Sequence, residues 1–212
     1  MIQCLNCRGC SGSEWQTRND DWGDECDNLV EGVSNGLLIV GEDPYPTRAT
    51  GIAFCKPTWY ELLDDQYSAR PLFCGMGINL KLAALNNLLF PTPKEFFHFL
   101  LQEKIAFANV NDENGNENIH LNTDAWLKTE HFSAIIACGK SSYESVKRKI
   151  NGQSIHLIKV VHPSIRNYIY HRAEWNKYWS CHGACLDRIQ DSGCYEFVKN
   201  IIDEVNKRLY SC

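Results

Sequence analysis

The chain has 212 residues, a mass of 24.3 kDa and a formal net charge of −5, which at about 150 residues per domain points to one domain. Its 44% hydrophobic and 22% charged residues exclude wholesale disorder. No apolar run reaches the ~20 residues that span a bilayer, and the start MIQCLNCRGC lacks the apolar stretch of a signal peptide, so the expectation is a soluble, cytoplasmic protein without a membrane partner. The net acidity argues against a generally basic nucleic-acid binder, but the charge is unevenly spread. Seven acids and one base lie between Glu14 and Glu31, whereas seven bases and one acid (Glu144) lie between Lys140 and Arg172. A local positive excess inside an acidic protein is the pattern a polyanion footprint leaves.

In chain order, residues 1–35 are polar, acidic and without a clear period, and read as an N-terminal extension. Four short apolar runs follow: Gly36–Gly41, Ile105–Ala108, Ala134–Cys138 and Ile155–Val161. Runs of this length suit strands buried on both faces of a parallel sheet. Helical spacing lies between them. Asn79–Leu89 sets Leu82, Leu85, Leu88 and Leu89 on one side, and Pro93 opens a helix through Leu101. Ser141–Ile150 reads as a third helix. Tyr195–Leu209 reads as a fourth, with Phe197, Val198, Ile201, Ile202, Val205 and Leu209 as its apolar stripe. Alternating strands and helices predict a three-layer α/β/α sandwich around a central four-stranded, mainly parallel sheet, with residues 36–212 as the domain. Residues 168–192, rich in aromatic, Cys and His side chains, break the pattern and read as an insertion.

Chemistry in open α/β sheets gathers at the carboxyl ends of the strands. There the sequence sets Gly41-Glu42-Asp43-Pro44-Tyr45-Pro46 after the first strand and Asn109 at the end of the second. Gly139-Lys140-Ser141 follows the third, and His162-Pro163-Ser164-Ile165-Arg166-Asn167 the fourth. An acid, an amide, a phosphate-sized Gly/Ser loop and a histidine therefore share one edge. Asp-Pro is also a common turn pair, and each residue alone is weak; the four strand ends together carry the signal.

These segments, GEDPYP and HPSIRN with Ala49–Phe54 and Lys104–Asn109 between them, resemble the uracil-DNA glycosylase superfamily, in the branch with GQDPYH-type and HPSPLS-type motifs. The resemblance covers residues 36–167 and resumes near Cys194. It implies a monofunctional DNA glycosylase that needs no cofactor for catalysis, acts as a monomer, and flips a pyrimidine out of DNA to hydrolyse its glycosidic bond. Asp43 is then expected to orient water and stabilise the cationic sugar, and a neutral His162 to hydrogen-bond the departing base. Phe54 is expected to stack on the base, Asn109 to read its polar edge, Tyr45 to crowd C5, and Glu42 to contact it through its backbone amide. Gly139, Lys140, Ser141 and Ser164 are expected to hold phosphates. Three departures matter. Glu42 replaces Gln, Pro46 replaces His, and Arg166 stands where an apolar wedge is usual. Pro46 and Arg166 also suit a bulkier base, such as a hypermodified cytosine in phage DNA, which would make the enzyme a defence factor rather than one of base-excision repair. A catalytically inactive DNA-binding module is the alternative outside enzymes.

The chain has 11 cysteines. Cys4-x2-Cys7-x2-Cys10 has metal-ligand spacing, and Cys181-x3-Cys185 is expected to complete a structural zinc or iron–sulfur site. Cys55, Cys74 and Cys138 read as small core residues.

Overall fold

The computed structural model describes residues 33–43, 52–111, 127 and 131–211. Four strands, β1 (Gly36–Gly41), β2 (Ile105–Asn109), β3 (Phe132–Cys138) and β4 (His156–Val160), form one all-parallel sheet in the order β2-β1-β3-β4. Every residue of β1 and β2 is buried. This is why their sequences run apolar without alternation: helices cover both faces of the sheet. The protein is the expected three-layer α/β/α sandwich. β4 differs, because His156 and Lys159 are exposed on it and only Val160 is buried. It is an edge strand of the described sheet.

Among the described residues, four helices lie between β1 and β2: α1 (Trp59–Asp64), α2 (Ala69–Gly75), α3 (Leu80–Leu85) and α4 (Pro93–Gln102). α4 begins where Pro93 predicts. Thr92 and Glu95 close a reciprocal capping box around it, and Phe96, Phe97, Leu100 and Leu101 are buried on it. α3 is shorter than the Asn79–Leu89 spacing predicts. Asn79 caps its start by accepting from the Leu82 amide at 3.1 Å, and the chain leaves the helix at Asn86. The expected apolar stripe therefore fails: Leu82 packs partly against the core, whereas Leu85, Leu88 and Leu89 are exposed, Leu88 at 91%. The helix ends at Leu85, ahead of two poor helix formers, Asn86 and Asn87, and before the last leucines reach the core face.

α5 (Lys140–Lys149) links β3 to β4, and α6 (Ile165–Tyr170), α7 (Arg172–Trp179), α8 (Ala184–Arg188) and α9 (Tyr195–Ser211) follow. On α9, Val198, Ile202, Val205 and Leu209 are buried, as their spacing predicts. The 168–192 segment is helical and packs into the core through Trp175, Trp179, Cys185, Leu186 and Ile189. It is fastened at several points. Trp179 Nε1 donates to Val161 O at 3.0 Å, and the Gly183 amide donates to Cys74 O at 2.9 Å. A Cβ on Gly75 would lie 2.4 Å from both Trp179 and the Tyr178 carbonyl, so α2 and α7 meet through a glycine.

Candidate active site

In the order β2-β1-β3-β4 the chain leaves β1 for one side and later returns to the other. The crevice beyond the carboxyl ends of β1 and β3 is therefore the topological switch point, where open α/β sheets bind ligands. The ladder sets what meets there. Gly41 pairs with Asn109 across β1 and β2. The pairing runs on past the strand ends, with Val110 N donating to Gly41 O at 3.1 Å and Asn111 N to Glu42 O at 3.0 Å. Asn111 Nδ2 donates to Asp43 Oδ1 at 2.8 Å.

Gly41 makes the next approach possible. A Cβ there would sit 2.6 Å from Asn109 Oδ1 and 3.1 Å from Phe54 Cζ. The absent side chain leaves room for Asn109 and Phe54 to converge over β1. Phe54 is buried, and its backbone is left-handed at φ 63°. A bulky residue rarely adopts that conformation, and strain of this kind clusters at functional sites. The Phe54 ring lies with its centroid 6.1 Å from that of His162, tilted by 34°, and 6.5 Å from that of Phe107.

His162 follows β4 and packs on Gly139, where a Cβ would stand 3.3 Å from His162 Cβ; Gly139 also takes φ 100°, so glycine serves that position twice over. Burial lowers the His162 pKa to about 4, and the neighbouring Asp43 charge offsets only part of that. The imidazole is therefore neutral at neutral pH. Asp43, Phe54, Asn109 and His162, four residues predicted to act together, are brought together. Asn111 was missed. Its role depends on pairing that runs past the strand ends, which the sequence pattern does not show.

The loop residues lie around this group. Lys140 and Ser141 are exposed at the start of α5, while the neighbouring Ser142 is buried and donates to Cys138 O. Ser164 caps α6 by accepting from the Asn167 amide and from Asn167 Nδ2 at 3.0 Å. That leaves its hydroxyl proton for another acceptor. Arg166 is exposed on the first turn of α6. The Glu42 side chain is half-buried, and its carbonyl is engaged by Asn111. Tyr45 and Pro46 lie outside the described residues, as do Cys4, Cys7 and Cys10.

The two remaining thiols of the expected metal site have unlike surroundings. Cys181 is exposed, whereas Cys185 is fully buried and burial drives its pKa far up, which keeps a thiol protonated. Among the described residues, no group of three or more His, Cys, Asp or Glu side chains is suited to hold a metal ion, and no helix is long and apolar enough to cross a membrane.

No family model matches this chain, and no curated protein matches it.

Proposed function

We propose that the protein is a DNA glycosylase that takes a pyrimidine out of the base stack and hydrolyses its N-glycosidic bond. One observation carries this reading: a carboxylate, a neutral, half-buried imidazole, an amide and an aromatic ring converge at the carboxyl edge of a parallel sheet, at its switch point. The resemblance of GEDPYP and HPSIRN to the uracil-DNA glycosylase motifs supports it.

In this reaction the C1′–N1 bond breaks and its electron pair leaves with the base. The sugar becomes cationic, and the Asp43 carboxylate stabilises it and holds the attacking water. Water adds through oxygen to C1′ and loses a proton, and the base anion gains one, so the sum is hydrolysis to an abasic site and a free base. His162 donates a hydrogen bond to the O2 that gathers negative charge. A neutral donor serves here without first surrendering a proton. Asn109 offers a donor and an acceptor to the N3/O4 edge, and Phe54 supplies a stacking face. Exposed Lys140, Ser141 and Arg166, with the Ser164 hydroxyl, border this edge and suit phosphate oxygens.

No cofactor enters these steps. For a structural metal, the candidate ligands are the thiolates of Cys4, Cys7, Cys10, Cys181 and Cys185. Metal analysis of the purified full chain tests this, with about one zinc or one iron–sulfur cluster per chain expected. The test of function is a panel of single- and double-stranded oligonucleotides carrying uracil, thymine, hydroxymethylcytosine or glucosylated hydroxymethylcytosine. Release of a free pyrimidine and an alkali-labile abasic site is the expected result. DNA binding without release on any member would favour an inactive module, and release of only the modified cytosines would favour a role against phage DNA.

A further inference from the structure

Beyond Asp43 itself, the group that fixes its carboxylate stands out. Asn111 has the required geometry on two counts. Its backbone amide is bonded to Glu42 O at 3.0 Å, directly before Asp43, and its side-chain amide donates to Asp43 Oδ1 at 2.8 Å. The first bond locks the Asn111 backbone against the loop, so the second is held by the β1–β2 ladder rather than by a freely rotating side chain. Asp43 is exposed and Asn111 half-buried. An exposed carboxylate without such a partner samples several rotamers, and each one away from the reacting carbon is unproductive.

We infer that Asn111 is the positioning residue for Asp43: it occupies one carboxylate oxygen and leaves the other, Oδ2, as the acceptor for water. This deepens the glycosylase reading and rests on it. Asparagine suits the task better than a cation would. A lysine or arginine there would neutralise the charge that the cationic sugar requires, whereas an amide orients the carboxylate and leaves its charge intact. An aspartate would set two carboxylates side by side and remove the donor.

The test is a double-mutant cycle of Asn111→Ala and Asp43→Asn, read by single-turnover base release and, separately, by DNA affinity. Asn111→Ala alone is expected to slow release by about 10- to 100-fold while leaving the DNA Kd within about twofold, because the loss falls on the transition state. In the Asp43→Asn background it is expected to cost nothing further, since the two act as one unit. The isosteric Asn111→Asp keeps the side-chain volume and is expected to lose at least as much rate as Asn111→Ala, with the fold retained in a thermal melt. Losses that add independently across the cycle, or a full rate in either Asn111 variant, overturn the positioning role while wild-type release still supports the glycosylase. A wild-type chain that releases no base from any oligonucleotide overturns the glycosylase reading, and the positioning role falls with it.

Discussion

At the scale of single residues, the site depends as much on an absent side chain as on those present. Gly41 lies in β1 with Asn109 Oδ1 and Phe54 Cζ where its Cβ would be. Gly41→Ala therefore has to displace both groups that would hold the base. Displacements near 1 Å cost about 100-fold in rate, so base release is expected to fall by about that factor in a chain that still folds and binds DNA. Single-turnover assays beside a thermal melt check this. Asp43→Asn is expected to lower the rate by about 10²- to 10³-fold with near-normal DNA affinity, because charge stabilisation is made in the transition state.

His162 makes a further prediction, with a definite sign. Its native pKa is lowered from the ordinary 6.5 to about 4 by burial. Between those values the unfolded chain binds a proton that the native chain does not, so stability rises with pH across that window and falls on acidification. His98, lowered to about 4 mainly by burial, adds to the same trend. Melting temperature is expected to drop from pH 7 to pH 4.5. His162→Gln is expected to flatten part of that drop, and an unchanged slope would show that His162 does not titrate in this way.

At the scale of elements, the segment that breaks the sequence pattern is joined to the helices before β2. α7 crosses α2 at Gly75, with the Tyr178 carbonyl and the Trp179 ring both 2.4 Å from where a Cβ would stand. Backbone cannot yield as a flexible side chain does. Gly75→Ala is therefore expected to destabilise the fold by about 1–3 kcal/mol, the usual cost of overpacking, as measured by urea denaturation. Trp179 also bonds Val161, next to His162, so loosening α7 is expected to slow base release as well. The helix that sequence misjudged, α3, shows the opposite case. Leucine spacing alone argued for about three turns of continuity, but the helix ends at Leu85 before two poor helix formers, Asn86 and Asn87, and the later leucines face solvent.

At the scale of the molecule, the parts legible in sequence were those whose physics is local or periodic. Unbroken apolar runs revealed β1, β2 and β3, because burial on both faces removes alternation. The strand ends then gave Asp43, Asn109 and His162, because a parallel sheet puts every carboxyl end on one edge. Three things were not legible. The partnership of Asn111 with Asp43 depends on a ladder running two residues past the strand ends. The left-handed backbone of Phe54 leaves no trace in composition. The packing of 168–192 required knowing that Gly75 faces Trp179. Charge also acts at this scale: the chain is net acidic, yet Lys140 and Arg166 are exposed beside the site. Lys140→Gln and Arg166→Gln are each expected to reduce the slope of log affinity against log salt by about 0.9, as loss of one phosphate contact requires. Fluorescence titrations at several salt concentrations measure it.

The position of β4 has a consequence for how the protein survives at high concentration. An edge strand of a parallel sheet presents unpaired backbone groups along one side, a template on which another chain can add. Here that border carries exposed His156 and Lys159, and the Lys159 ammonium stands 5.7 Å from the centroid of the Tyr143 ring, with Lys147 at 5.8 Å from the same ring. Two cations gathered on one aromatic ring beside the open border raise the cost of bringing a second copy alongside. Their charge is expected to act as a gatekeeper against aggregation. Lys159→Val would turn the strand into HLIVV and remove its lysine, and turbidity on concentration should rise sooner than for the parent chain, even where activity in dilute solution is the same.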